Sequence, residues 1–281
     1  MSAGPQTLSK TVERVYAIGD VHGRADLLAP LLREIERTAP DDGRAAIVFL
    51  GDLVDRGPDS RGVLDLVIGA LQRFPGSKLC LGNHDDWLRR CLAGDPTMAD
   101  DLELWLGQGG LETLQSYAAP ATPLSDIRRG ILAETPRHAS LLEEAAQLVR
   151  WRDLVFVHAG VDPAIALVDQ PREASLWIRS VFLRYVGPLE AAVVHGHTPQ
   201  SPPRPHVTEN RISIDTGAFF SHVLTAAVFD AASSTLQFWT ARRDGTVRRV
   251  VPIGVDRGMG TLLDPIGDDA ENARPQLFRW P

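Results

Sequence analysis

Six residues of metal-binding type lie in five short segments strung in order through this chain. GDVHG (19–23) carries Asp20 and His22, and GDLVDRG (51–57) carries Asp52. GNHD (82–85) carries Asn83, HAG (158–160) carries His158, and HGHT (195–198) carries His197. Oxygen and imidazole donors without thiolate suit a hard or borderline ion, Mn²⁺ first, with Fe or Zn²⁺ also compatible. Six such donors suffice for two divalent metals that share one carboxylate. Two ions about 3.5–4 Å apart are the usual device for in-line attack of water on a phosphate ester. The chemistry indicated is metal-dependent phosphoester hydrolysis.

Such donors must be held by rigid elements, and the first half of the chain supplies a rhythm for that. Residues 12–18 read as a strand, and 24–38 as an amphipathic helix with apolar positions at 27, 28, 31, 32 and 35. A short apolar run at 45–50 precedes a helix over about 60–74, and a strand at 78–81 leads into a helix beginning near Asp85. This βαβαβ pattern predicts a parallel sheet with the motifs at the carboxyl ends of its strands. On leaving a strand, residues two apart point the same way, so Asp20 and His22 can reach one ion. By the same rule His195 and His197 share a face, which leaves His195 open as a further ligand.

Residues 96–149 read as helical, broken by Pro120, Pro123 and Pro136, with no ligand motif. Such an insertion is either an added subdomain or a cap over the metals. Strands return at WRDLVFVHAG and AAVVHGHT, delivering His158 and His197. Beyond them RISIDTGA, SHVLTAAVFD, STLQFWTARR and TVRRVVPI are short β runs that predict a second, largely antiparallel sheet. The expectation is one α/β domain over 1–281, with a flexible N-terminus at 1–11 and a C-terminal tail from about 255 to 281.

Composition narrows the partners. A net charge of −7 over 281 residues argues against a broad nucleic-acid face, although metals and a few arginines can still make a local anion site. The two cysteines, Cys80 and Cys91, cannot form a disulfide framework and have no zinc-finger spacing. No run of 18 apolar residues occurs, and the first ten residues lack a signal-peptide pattern. The expected protein is cytoplasmic, with no membrane or nucleic-acid partner.

In its five blocks the chain resembles the calcineurin-like metallophosphoesterases over roughly residues 13–220, and within them the phosphoprotein phosphatase group with its bacterial and phage serine/threonine phosphatases. The resemblance implies two face-to-face mixed β-sheets flanked by helices, a four-layer sandwich. It also implies that Asp20, His22 and Asp52 hold one metal, and that Asp52, Asn83, His158 and His197 hold the other. It aligns His197, not His195, with a ligand. Relatives outside the phosphoprotein group carry a second histidine as GHxH. This chain has Pro199 there, which leaves the first metal three protein ligands and open positions for water.

The same resemblance assigns groups beside the metals. His84 would protonate the leaving alkoxide and Asp55 would orient His84, a need set by the poor leaving ability of an alkoxide; the other reading of Asp55 is a turn residue. Arg56 and Arg179 would clamp phosphoryl oxygens, although Arg179, in the short LWIR segment, also reads as a solvated helix residue. Asp215 reads as support behind the ligands or as a turn residue. Leu81 stands where eukaryotic phosphoprotein phosphatases have arginine, and LGNHD also resembles the symmetrical diadenosine tetraphosphatases. Those enzymes tend to lack the aspartate of DRG, which this chain has as Asp55. The expected substrate is a phosphoprotein or a phosphorylated small molecule, with phosphoserine and phosphothreonine favoured and dinucleoside tetraphosphates the alternative.

Overall fold

Alternating side chains on β2 (Arg14–Ile18) define two layers at once. Tyr16 and Ile18 pack into one apolar cluster, while Val15 and Ala17 pack into another on the opposite face, as the two-residue period of a strand requires. β3 (Ala45–Phe49) does the same, with Ile47 and Phe49 on the first side and Ala46 and Val48 on the second. The computed structural model in which these contacts are seen describes residues 4–254 and 278–279.

β2, β3 and β4 (Lys78–Leu79) are parallel, joined through α1 (Ala25–Thr38) and α2 (Ser60–Arg73). On the other edge of β2 lie antiparallel β10 (Val223–Asp230), β11 (Thr235–Arg242) and β12 (Val247–Val250). The C-terminal β runs after Ser221 therefore do not form a separate sheet, contrary to expectation. β10 is buried along almost its whole length and pairs directly with β2, so both of its faces need cover that only a central position supplies.

The second sheet runs β1 (Gln6–Thr7), β5 (Leu148–Trp151), β6 (Leu154–Val157), β7 (Ala192–His195), β9 (Arg211–Ser213) and β8 (His206–Val207). The sheets meet through Val15, Val48, Phe156, Val194 and Ile212. The outer face of the second sheet, with Val155, Val157 and Val193, is covered by Leu167 and Phe182 near the short helices α8 (Arg172–Trp177) and α9 (Ser180–Leu183). The result is two mixed sheets flanked by helices. Within the N-terminal stretch expected to be flexible, Gln6 pairs with Val149 and Leu8 is buried. The tail from about 255 lies outside the described residues, apart from β13 (Phe278–Arg279), which pairs with β11. Among the described residues no helix is long and apolar enough to cross a membrane.

α3 (Asn83–Ala93) leads into the insertion, formed by α4 (Met98–Trp105), α5 (Leu111–Tyr117), α6 (Leu124–Glu134) and α7 (Pro136–Glu143). Trp105, Leu114, Ile131 and Leu142 join the same cluster as Leu64, Val67 and Leu88 of α2 and α3. The insertion thus belongs to the helical layer. Between α4 and α5 the wide turn Leu106–Gly110 bends sharply at Gly109, whose φ is 110°.

Candidate metal centre

The ends of β2, β3, β4, β6 and β7 gather at one rim of the double sheet, and the five motifs follow them there. At that rim the chain turns through left-handed backbone at His22 (φ 47°), Asp52 (49°), Asp55 (71°), Arg56 (68°) and His197 (64°). Non-glycine residues adopt this region at a cost of about 1–2 kcal/mol each. Two glycines let the loops close up. A Cβ on Gly82 would stand 2.3 Å from Asp52 Oδ1, and one on Gly196 would stand 2.0 Å from Asp20 Oδ1.

Backbone carbonyls fix the imidazoles. His22 Nδ1 is 2.8 Å from Val54 O, and His158 Nδ1 is 2.9 Å from Leu50 O. Each Nδ1 therefore carries the proton, and each Nε2 turns a lone pair inward. His158 Nε2 meets Asn83 Oδ1 at 2.9 Å, His197 Nδ1 at 3.1 Å and Asp52 Oδ1 at 3.5 Å. His22 Nε2 meets the other oxygen, Asp52 Oδ2, at 3.4 Å. The lone pair of His158 Nε2 thus faces the oxygens of Asn83 and Asp52 in a dry interior, an arrangement that a cation between them reconciles. The donor set fits divalent metal.

Charge makes the same point. Asp20, Asp52, Asp85 and Asp215 are all buried here. Burial, then Asp215 and Asp52, raise the Asp20 carboxyl well above its ordinary value. Burial opposes the charge of Asp52 too, but the imidazoles of His158, His84, His22 and His197 outweigh it and hold that carboxyl below the usual range. Burial pushes His22 down to about 3, so its ring stays neutral and available as a ligand.

The ligand atoms of Asp52, His158 and His197 lie within 4.8 Å of one another, and so do those of His22, Asp52 and His84. Asp20 sits beside them, accepting from the His197 backbone N–H at 3.0 and 3.2 Å. His84 is already engaged on both nitrogens. Its Nδ1 lies 2.7 Å from Asp55 Oδ2, and its Nε2 lies 2.8 Å from Arg56 Nη2. Arg56 reaches His22 Nε2 with its other terminal nitrogen at 2.9 Å and rests against the Phe219 ring, 4.9 Å from its centroid. Arg179 Nε donates to His197 Nε2 at 3.1 Å. Arg56, Arg179, His197, Gly109, Phe219 and Phe220 help line an open pocket of about 520 Å³.

A buried rim of imidazoles and carboxylates at strand ends, with two arginines facing a pocket, has known counterparts. Residues 13–214 match the calcineurin-like phosphoesterase family. The chain belongs to that family. It is 30% identical over 236 residues to an asymmetrical bis(5'-nucleosyl)-tetraphosphatase of Bacillus subtilis, covering 75% of this chain and 89% of the relative. It is 29% identical over 231 residues to serine/threonine-protein phosphatase 1 of Salmonella typhimurium, covering 78% of this chain and 93% of that one. A cold-active protein-tyrosine phosphatase from a Shewanella species shares the fold, with a TM-score of 0.53 and 18% identity over 89% of this chain and 83% of that one. The chain is thus a phosphoesterase-family hydrolase with residue clusters suited to divalent metals.

For a calcineurin-like phosphoesterase, some expected residues fall otherwise than strand alternation suggests. β7 ends at His195 and the backbone turns left-handed at His197, so the two rings diverge. His195 bonds Ser213 Oγ at 2.6 Å and packs on Phe182. Asp215 closes a turn by accepting from Gly217 N at 2.8 Å. Sequence reasoning missed Asp85, whose carboxyl accepts from Leu53 N at 2.9 Å and Gly82 N at 3.2 Å and so ties the second and third motifs together. It also missed Trp105 and Thr113, which donate to Asp55 at 2.9 and 2.6 Å. The fourth residue of GNHD was a signal for Asp85; nothing local marked the other two.

Proposed function

We propose that the chain is a dinuclear metal-dependent phosphomonoesterase acting in the cytoplasm on phosphoserine and phosphothreonine in proteins. The observation that carries this reading is the buried His84–Asp55 pair, 2.7 Å apart, with the far nitrogen of His84 beside Arg56 at the pocket. Such a pair serves a leaving group that needs a proton, and an alkoxide needs one most.

In this reading Asp20, His22 and Asp52 hold one divalent ion, and Asp52, Asn83, His158 and His197 hold the other, with Mn²⁺ the ion of choice. When bound, the metals supply an activated water and neutralise phosphoryl charge. Arg56 and Arg179 orient the phosphoryl oxygens. For this step Arg56 turns from His84 Nε2 to the phosphoryl oxygens, and the imidazole beside Asp55 carries a proton on both nitrogens. As water bonds to phosphorus and the old P–O bond breaks, the leaving oxygen keeps the electron pair and takes the Nε2 proton. Asp55 keeps the ring aimed.

A second reading, hydrolysis of dinucleoside tetraphosphates, is favoured by the Bacillus relative of that name. There the leaving group is a nucleotide phosphate, which departs readily without a proton. Comparing kcat/KM for a phosphoserine peptide and diadenosine tetraphosphate, in the wild type and in Asp55→Asn, separates the two. The first reading expects a peptide preference that Asp55→Asn narrows. A preference for the tetraphosphate, unchanged by Asp55→Asn, would hand the case to the second.

A further inference from the structure

Asp55 and Arg56 are consecutive non-glycine residues in left-handed backbone, with φ of 71° and 68°. Such strain persists only where the surroundings over-determine it, and here the helical insertion supplies four of the hydrogen bonds that do so. The Thr113 hydroxyl, on α5, accepts from Asp55 N at 2.8 Å and donates to Asp55 Oδ1 at 2.6 Å, so one side chain clamps both ends of the residue. Ser60 Oγ, on α2, shares the Asp55 N–H at 3.1 Å and lies 2.9 Å from the Thr113 hydroxyl. Trp105, at the end of α4, donates from its indole to Asp55 Oδ2 at 2.9 Å, the oxygen that also faces His84. Gly109 O, in the turn between them, accepts from Arg56 N at 3.2 Å.

The turn is shaped for this work. A Cβ on Gly109 would lie 2.3 Å from Arg56 N, and one on Gly110 would lie 2.7 Å from the Trp105 indole. Trp105, Thr113 and Asp55 are all fully buried. A carboxylate hidden from water with three side-chain donors around it has little freedom to swing, and the imidazole it holds inherits that fixity.

We propose that the α4–α5 elbow is the positioning device of the leaving-group acid, with Trp105 and Thr113 as positioning residues that act through Asp55 on His84. The inference rests on the reading of His84 as the proton donor. It assigns the insertion a part in the proton-transfer geometry beyond that of a cover. Losing the Trp105 or Thr113 bond leaves the expected metal ligands and the Gly109–Arg56 bond in place but loosens the aim of the proton.

The test uses phenyl phosphate and 4-nitrophenyl phosphate, esters of similar shape whose leaving groups differ in their need for a proton. Trp105→Phe keeps the ring and removes the N–H, Thr113→Val removes the hydroxyl, and Thr113→Ser keeps it. The first two should lower kcat on phenyl phosphate by about 10–100-fold, the worth of a hydrogen bond to a charged group. They should lower kcat on the nitrophenyl ester by under about threefold, with KM and metal content unchanged, and Thr113→Ser should recover most of the loss. Equal losses on both esters, a loss confined to KM, or failure of Thr113→Ser to recover would overturn the proposal. If Thr113→Val folds poorly, Trp105→Phe alone decides. His84→Asn is the reference. If it lacks the leaving-group pattern, the proton-donor reading falls and this inference with it; if it shows the pattern and Trp105→Phe does not, this inference alone falls.

Discussion

Replacing Gly196 with alanine should perturb the candidate metal centre without altering a single donor. Gly196 is not among the left-handed glycines, so alanine meets no backbone strain there. The added Cβ would stand 2.0 Å from Asp20 Oδ1, whereas real Cβ atoms essentially never come within 3.0 Å. The Asp20 carboxylate, or the strand end beside it, must therefore give by about 1 Å. Asp20 is also the acceptor for His197 N at 3.0 and 3.2 Å, so that shift disturbs an expected ligand in each of two motifs. Changes of this kind behind a ligand typically cost about 10–100-fold in metal affinity. Calorimetric titration of chelator-treated protein with Mn²⁺ should show at least one binding event weakened by that factor. The melting temperature of the metal-free protein should stay within a few degrees of wild type. If Gly196→Ala bound two Mn²⁺ with wild-type affinity, the placement of Asp20 at the metals would be wrong.

Asp52→Asn should be the worst of the ligand changes, because its two oxygens face different imidazoles, His22 at 3.4 Å and His158 at 3.5 Å. Metal analysis should find fewer than two ions per chain, and near-normal turnover would refute the shared carboxylate. His84→Asn should keep its metal yet lose roughly 10²–10⁴-fold in turnover on a phosphoserine peptide, and loss of metal instead would make His84 a ligand. Stability should also depend on pH through His138, whose Nδ1 accepts from Tyr117 at 2.6 Å and whose Nε2 donates to Asp65 at 2.9 Å. Burial lowers its pKa from 6.5, so the unfolded chain binds the proton more readily than the folded one. The contribution is complete above about 6.5 and is lost as pH falls below it. His138→Gln should flatten the fall in melting temperature between about pH 7 and 5, and an unchanged slope would count against it.

The metal-binding residue types were legible because each stands in a short motif at a strand end, where spacing and glycines are local properties. The two sheets followed from the apolar strand runs, although such runs do not say which strand pairs with which. That is why β10–β12 were expected in a sheet of their own, when β10 in fact completes the first through β2. His195 shows another limit, since a shared face holds only while the strand continues, and β7 stops there. Trp105 and Thr113 lie 50 and 58 residues from the aspartate they hold. Nothing in a tryptophan or threonine on an amphipathic helix marks its polar edge as spoken for, so only the folded chain reveals them.

Left-handed backbone is distributed unevenly in this protein, and that bears on how it could be made hardier. Among the described residues nine non-glycine positions have positive φ, and five of them are His22, Asp52, Asp55, Arg56 and His197. Ala121 and Ser234 share the conformation in exposed turns, where glycine or asparagine would fit without disturbing a contact at the rim. The same exchange at the five rim residues would relax the backbone by deleting the chemistry. Thermal robustness can be raised at the turns, while the tension at the rim is bound to the side chains that would do the work.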